Sequence, residues 1–227
     1  MNGIKWGKVE GCAENVIIIG SGPSVRDIKL DRLQGLRDTY IVSVNGAGSF
    51  VPFADAWFTL DPWGLHGPQL PVNSSSKLYA AVPADYGTPY ARSLDHRVVP
   101  VPAITFLHRL ASHNYTNISS DTAYSLELSE DRSCIHTGNS GFGALNLAYH
   151  LRPKNIYLLG IDGSIGYFYP SKTNNRPLKT LQILFESAKT QLDDANINVF
   201  NVSMGSLVQS YKKLPSDDFH AILDKLN

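Results

Sequence analysis

The chain has 227 residues, 20 acidic and 20 basic side chains, and 43% hydrophobic residues. This length and apolar content suit one large domain with a buried core, so we expect a single domain over residues 1–227. A net charge of zero excludes the strongly basic face that general nucleic-acid binding requires.

Cysteine content and hydropathy indicate the cellular compartment. Cys12 and Cys134 form neither a CxxC pair nor a zinc-binding spacing, and two thiols are too few for the disulfide framework of a secreted domain. The first residues lack the apolar segment of a signal peptide, and no apolar run reaches membrane-spanning length. We therefore expect a cytoplasmic protein without a membrane span. The sequence leaves its oligomeric state open, with a homo-oligomer as one alternative.

The first predicted element is a buried strand at residues 16–19, which leads directly into a glycine-rich turn. A helix is predicted near residues 27–36. Strand, glycine turn and helix together direct backbone N–H groups and a helix N-terminus at a phosphate. The turn lacks the third glycine of GxGxxG and the GK[ST] of a P-loop, so a purely structural turn is the alternative. The residues predicted to contact the phosphate are Gly20, Ser21, Gly22, Pro23 and Ser24.

The elements that follow alternate between strand and helix patterns. We expect an irregular, lid-like insertion at residues 113–134, which are polar and have no clear periodicity. The alternation predicts a single-domain α/β fold with a mostly parallel sheet and helices on both faces. The predicted strands lie at 40–44, 54–60, 77–82, 97–101, 155–160 and 197–202, and the predicted helices at 103–112, 138–151, 178–194, 207–214 and 217–226.

Small polar residues follow several of these strands. Asn45 follows the second strand, Asp162 follows the strand at 155–160, and Ser203 and Ser206 follow the last one. The carboxyl ends of parallel strands meet at one rim of the sheet, where ligands bind. We therefore predict a ligand site at this rim, although each residue alone is equally typical of a turn or a cap.

A second glycine-rich segment opens the predicted helix at 138–151. A helix N-terminus carries about half a positive charge, which suits a phosphate or a carboxylate. Close packing of the helix on the sheet is the structural alternative. The residues of this segment predicted to contact the ligand are Thr137, Gly138, Asn139, Ser140 and Gly141.

Two residues are candidates for a general base, Asp61 after the third strand and His136 beside the second glycine-rich segment. There is no DxD cluster, so no magnesium clamp is expected, and no GxSxG or HExxH motif is present. Aromatic residues near the rim could stack on a base or a sugar, although rim packing is their commoner role; they are Trp57, Trp63, Tyr167, Phe168 and Tyr169.

The order of these motifs resembles two related Rossmann-like families. One is the bacterial sialyltransferases of glycosyltransferase family 42, and the other is the 6-hydroxymethylpterin diphosphokinase-like proteins. The motifs that carry the resemblance are IIIGSGPS at 17–24, VNG at 44–46, ADAWFTLD at 54–61, TGNSG at 137–141, IYLLGID at 156–162 and NVSMGSL at 201–207.

The sialyltransferase resemblance implies transfer of a sugar from a nucleotide donor, a CMP-sugar in particular, to an unknown acceptor and without a metal. It implies donor contacts from residues 20–24, from Asn45, from residues 137–141, and from Asp162, Ser203 and Ser206. The catalytic histidine of that family lies between the Gly-Ile-Asp strand and the final strand. Residues 163–196 contain no histidine, so Asp61 and His136 are the candidate bases.

Two further interpretations follow. The resemblance to the pterin diphosphokinase-like proteins implies transfer of pyrophosphate from ATP to a pterin-like small molecule. That reaction would need magnesium, with Asp61 and Asp162 as the acids to test. The other alternative is a non-catalytic module that binds a nucleotide without transferring anything.

Overall fold

The computed structural model describes residues 6–60, 76–82, 104–110, 127–136, 139–164, 166–168, 178 and 180–227. The described strands form one nine-stranded sheet in which every neighbouring pair is parallel. The strands are β1 (Asn15–Ile19), β2 (Thr39–Val44), β3 (Ala56–Thr59), β4 (Lys77–Val82), β5 (Ile104–Leu110), β6 (Cys134–His136), β7 (Asn155–Leu159), β8 (Asn198–Asn201) and β9 (Lys212–Lys213).

Four α-helices and three 3₁₀ turns lie in the described ranges. The helices are α1 (Ser140–His150), α2 (Thr180–Ser187), α3 (Lys189–Asp194) and α4 (Ser216–Leu226). The 3₁₀ turns are Pro23–Asp27, Leu30–Leu33 and Asn45–Ser49.

The strand order is β6-β5-β4-β3-β2-β1-β7-β8-β9. The chain adds β2 to β6 successively on one side of β1, then returns through α1 to place β7 on the other side. The direction of sheet growth therefore reverses between β1 and β7. In an open parallel sheet, ligands bind outside the carboxyl ends of the strands at this switch point.

Both faces of the sheet are covered, and β1 shows why its sequence is apolar throughout. Val16 and Ile18 pack in the core that contains α1, α2 and α3. Ile17 and Ile19 pack in the opposite core with α4 and the 3₁₀ turns. All four side chains are fully buried, which is the pattern expected for a strand with helices on both faces.

The predicted fold class is confirmed: the protein is an α/β protein with a parallel sheet and helices on both faces. The helix predicted at 138–151 is α1, and the one predicted at 217–226 is α4. The helix predicted at 178–194 is interrupted at Ala188, which separates α2 from α3. The predicted strand at 97–101 lies outside the described residues.

Three predicted helices are wrong. Residues 104–110 form β5, because pairing with β4 and β6 satisfies their backbone. Residues 27–36 contain the last residue of the 3₁₀ turn Pro23–Asp27 and the whole of the turn Leu30–Leu33, and between the two turns Ile28 is extended, at φ −105° and ψ 131°, and buried. Residues 207–214 contain β9, which pairs with β8 instead of forming a helix.

The predicted insertion at 113–134 is described only at its C-terminal end. There, Leu128 and Ser129 are buried, and Cys134 begins β6. Residues 113–126 lie outside the described ranges, so a lid there stays a prediction. None of the helices in the described ranges combines the length and the apolar character that crossing a membrane requires.

Candidate functional site

A cavity of about 190 Å³ lies at the switch point between β1 and β7. Its walls come from the turns after these two strands, the start of α1, the end of β2 and the beginning of α2. Eight of the predicted ligand contacts line it: Gly20, Ser21, Gly22, Asn45, Asn139, Ser140, Gly141 and Asp162. The predicted contacts therefore make up eight of the seventeen described residues that line the cavity.

The turns after β1 and β7 touch backbone to backbone. The Gly22 N–H donates to Gly160 O at 2.9 Å. A Cβ at Gly22 would meet the Asp162 carboxylate and would lie 2.6 Å from Gly160 O. Gly160 has a φ of 63°, and a Cβ there would meet Val25. Only glycine fits at these two positions, so the glycines are needed to bring the two strand ends together.

Asp162 joins the two turns and is almost fully buried, with 3% of its surface exposed. The Ser24 N–H donates to Oδ2 at 2.9 Å, and the Ser24 hydroxyl donates to Oδ1 at 2.6 Å. Ser203 Oγ lies 2.6 Å from Ser24 Oγ and accepts from the Gly160 N–H at 3.0 Å. Because the Ser24 hydrogen points to the carboxylate, the Ser203 hydroxyl donates to Ser24. Asp162 is thus anchored at both oxygens.

The remaining predicted contacts after β1 and β8 lie behind the cavity wall. The Ser206 hydroxyl donates to Ile161 O at 2.7 Å and accepts from the Val208 N–H at 3.0 Å. Pro23 begins the 3₁₀ turn that carries Ser24. Ser24, Ser203 and Ser206 therefore have partners within the protein, and a direct contact with a ligand stays a prediction for them.

Several hydrogen-bonding groups on the cavity wall have no protein partner. Within the described residues, the hydroxyls of Ser21, Ser140 and Ser164 make no hydrogen bond, although all three residues line the cavity. The Asn45 Nδ2 group is likewise without a partner there, whereas Asn45 Oδ1 accepts from the Thr59 hydroxyl at 2.8 Å. Polar groups at a binding cavity that the protein does not satisfy are available to a ligand.

Asn45 has an unusual backbone conformation, with a φ of 51°. Its carbonyl accepts from Trp57 Nε1 at 2.8 Å, and its side chain is held by Thr59. Residues other than glycine seldom adopt this left-handed conformation, although asparagine does so more readily than most. The two bonds from β3 hold Asn45 at the cavity in this conformation.

The start of α1 faces the cavity. Asn139 is the N-cap, and its Oδ1 accepts from the Gly141 N–H at 2.7 Å and from the Phe142 N–H at 3.4 Å. Ser140 is the first helical residue. The partial positive charge of this helix end therefore lies at the cavity wall. Thr137 and Gly138 lie outside the described residues.

Among the described lining residues, Asp162 is the only charged one, and no lysine or arginine is present. A cation lies behind the wall instead. Lys213 Nζ donates to the carbonyls of Ser203, Ser206 and Val208 at 3.0, 3.3 and 3.0 Å. Burial lowers the pKa of Lys213, and the Asp162 charge opposes that shift. Lys213 thus holds the turn after β8 in place behind Asp162.

Neither predicted base is among the described residues that line the cavity. Asp61 lies outside the described residues. His136 ends β6, and its Nδ1 lies 2.9 Å from Glu127 O. It lines a separate concavity with Glu127, Tyr149 and Gln191. A catalytic role for either residue stays a prediction, and the described residues contain no group of three or more His, Cys, Asp or Glu side chains that could hold a metal.

Some wall residues were not predicted as contacts. Gly163, Leu178 and Leu181 line the cavity beside Tyr167, one of the aromatic residues for which stacking on a ligand is an expected alternative. Leu181 belongs to α2, and its apolar spacing is that of any helix packing on a core. Gly163 offered a signal, because a glycine directly after a strand-end aspartate is typical of a tight turn; its φ is 64°.

Comparison with known proteins shows the fold. The MAf glycosyltransferase from Magnetospirillum magneticum AMB-1 superposes with a TM-score of 0.59 at 15% identity, covering 98% of this chain and 38% of that one. The sialyltransferase CST-II, from Campylobacter jejuni, was solved with a trisaccharide acceptor and CMP. It superposes with a TM-score of 0.50 at 17% identity, covering 89% of this chain and 86% of that one.

No family model matches the sequence, and no curated protein matches it by sequence. At these identities the structural similarity shows a shared α/β fold. The resemblance to the sialyltransferases therefore extends to the fold, and the resemblance to the pterin diphosphokinase-like proteins stays a prediction.

Proposed function

We propose that the protein is a glycosyltransferase that binds a nucleotide-sugar, a CMP-sugar in particular, with the donor phosphate in the cavity between β1 and β7. The observation that carries this proposal is the set of unpaired donors at the switch point: the hydroxyls of Ser21, Ser140 and Ser164 and the amide of Asn45. Hydroxyls, amides and a helix N-terminus bind phosphate through hydrogen bonds and the helix dipole, without a metal ion. The shared fold with two glycosyltransferases supports the same class of reaction.

In this reaction, the acceptor hydroxyl oxygen forms a bond to the anomeric carbon of the sugar while the bond from that carbon to the phosphate oxygen breaks. The acceptor proton passes to a general base, for which Asp61 and His136 are the candidates. The nucleotide monophosphate leaves with the additional negative charge. The start of α1 is oriented to stabilise that charge as it develops.

One observation favours the non-catalytic module as a second candidate. Both Asp162 oxygens are already engaged by Ser24, and His136 lies in another concavity. Among the described residues, no other carboxylate and no imidazole lines the cavity. A protein with this arrangement could retain the donor site without a base.

Titration calorimetry with CMP, UDP, GDP and ATP, with magnesium or with EDTA, tests the proposal. CMP should bind most tightly and should bind equally well in EDTA. Replacing both Ser21 and Ser140 by alanine should weaken CMP binding about 5- to 150-fold, because each lost hydrogen bond is worth about 0.5–1.5 kcal/mol. The control is Ser187→Ala, since that hydroxyl bonds only Leu184 O within α2.

The outcomes separate the three interpretations. Release of CMP from a CMP-sugar in the presence of acceptor hydroxyls supports the transferase, whereas CMP binding without any turnover supports the module. ATP binding that strictly requires magnesium would instead favour the pyrophosphokinase. A parent protein that binds none of the four nucleotides would contradict the proposal.

A further inference from the structure

A short segment, residues 166–168, lies across the turn that follows β1; we call it the strap. The Phe168 N–H donates to Ser21 O at 2.6 Å. The Phe168 ring stacks on Phe50, with centroids 4.3 Å apart and an interplanar angle of 29°. The strap begins at Gly166, whose φ of 99° turns the chain in a way that favours glycine.

The strap is part of the cavity wall. Gly166 and Tyr167 both line the cavity, and both are half-buried. Its backbone is bonded to Ser21, whose hydroxyl is one of the unpaired groups facing the same cavity. The position of the strap therefore sets one side of the cavity.

One exposed side chain, that of Arg26, fastens the strap. Arg26 Nη2 donates to Tyr167 O at 2.9 Å and to Phe168 O at 3.0 Å, and Nε donates to Phe168 O at 3.3 Å. Arg26 belongs to the 3₁₀ turn Pro23–Asp27, two residues after Ser24, which anchors Asp162. The guanidinium thus connects the strap to the 3₁₀ turn whose Ser24 is hydrogen-bonded to Asp162 in the cavity wall.

We propose that Arg26 is a positioning residue for the nucleotide: it does not line the cavity, and it acts by holding Tyr167 in the cavity wall. This inference rests on the proposed function. A planar guanidinium can serve two neighbouring carbonyls at once in a fixed geometry, whereas a lysine ammonium is a single point of charge on a flexible stem. Without Arg26, the strap loses three hydrogen bonds to its backbone carbonyls.

The test compares Arg26→Met and Arg26→Lys with the parent protein. The control is Arg37→Met, because Arg37 is exposed and its guanidinium makes no hydrogen bond within the described residues. Two quantities are measured on folded protein: CMP affinity by calorimetry, and the rate of limited chymotrypsin cleavage after Tyr167 or Phe168. Thermal unfolding of each variant verifies that the protein is folded at the temperature of the assays.

We expect Arg26→Met to weaken CMP binding about 5- to 50-fold and to raise the cleavage rate at least about fivefold. Arg26→Lys should fall between Arg26→Met and the parent, and Arg37→Met should match the parent in both measurements. Saturating CMP should slow cleavage of the parent more than cleavage of Arg26→Met, which a merely structural role would not produce.

Unchanged CMP affinity in a folded Arg26→Met variant would overturn the inference while leaving the proposed function intact. An unchanged cleavage rate would show that Arg26 does not hold the strap and would overturn the inference as well. If the parent itself binds no CMP, the proposed function fails and the nucleotide role of Arg26 fails with it. In that case, comparing the cleavage rates of Arg26→Met and the parent still tests whether Arg26 holds the strap in place.

Discussion

The carboxylate of Asp162 is held by Ser24, which donates to both of its oxygens. Replacing Asp162 by asparagine would set an amide N–H against a Ser24 donor inside a buried network. A buried group left without a partner costs about 1–3 kcal/mol. We therefore expect Asp162→Asn to lower the free energy of unfolding by about that amount in urea denaturation.

The control for that measurement is Asp27→Asn, since Asp27 is exposed on the same 3₁₀ turn. It should leave the unfolding free energy within about 0.5 kcal/mol of the parent value. Equal stabilities for both variants and the parent would show that Asp162 is not anchored as described. Gly22 is a poor position for such tests, because any side chain there would displace the Asp162 carboxylate.

For individual residues, the sequence predicted contacts in the cavity wall better than the hydrogen bonds of Ser24, Ser203 and Ser206 behind that wall. A strand that ends in glycines must turn tightly at the rim, so Gly20 and Gly22 could be placed from local pattern alone. Ser203 shows the limit, because a small polar residue after a strand fits a ligand contact and an internal bond equally well. Its partner Ser24 is 179 residues away in sequence, and only the folded structure brings the two together.

Among the elements, helix α1 connects stability with ligand binding through its cap. Asn139→Ala removes the acceptor for two N–H groups and should lower the free energy of unfolding by about 0.5–2 kcal/mol. Asn139→Asp keeps an acceptor at the same place and should stay within about 0.5 kcal/mol of the parent. The added negative charge would oppose a phosphate at the helix start, so CMP affinity should fall about tenfold or more.

Urea denaturation and calorimetry on both variants test whether Asn139→Ala mainly lowers stability and Asn139→Asp mainly lowers CMP affinity. If Asn139→Asp binds CMP as tightly as the parent does, the donor phosphate does not lie at the start of α1.

The predicted elements that proved wrong share a physical cause. Residues 104–110 carry apolar side chains at 104, 106, 107 and 110, and the spacing of 104, 107 and 110 also suits a helix face. Ile104, Thr105 and Phe106 also favour a strand, so the local pattern is ambiguous, and the pairing with β4 and β6 that decides it is non-local. Strand β1 and helix α1 were predictable because a continuous β-branched run and a capped helix start are local features.

At the scale of the whole molecule, two of the described histidines, His150 and His220, are buried and make stability sensitive to acid. Burial lowers the pKa of His150 and of His220 below the ordinary value of 6.5, and the Arg32 and Lys29 charges add to the shift at His220. His220 Nε2 also accepts from the Lys29 N–H at 3.2 Å, which requires a neutral ring nitrogen. Both groups therefore resist protonation in the native state.

The sign of the pH dependence follows from that resistance. As the pH falls below about 6.5, the unfolded chain takes up protons at these histidines before the native protein does. The free energy of unfolding should therefore decrease with falling pH until the native pKa values are reached, with a slope of up to about 1.4 kcal/mol per pH unit for each histidine. Urea denaturation at pH 7.5, 6.5 and 5.5 measures this slope.

His150→Gln removes one of the two titrating groups and should make that slope shallower than in the parent. A parent whose unfolding free energy does not change between pH 7.5 and 5.5 would contradict the predicted protonation states of both histidines.

The pairing of β1 with β7 has a consequence for the synthesis of the protein. Ile19 pairs with Leu159, which is translated about 140 residues later. At typical rates of about 5–20 residues per second, one edge of β1 stays open for roughly 7–28 seconds after β1 is made. During that interval, the apolar run Val16–Ile19 presents unpaired backbone groups, a template on which strands from other nascent chains can pair. Expression yield should therefore depend on chaperones that shield β1 until β7 arrives.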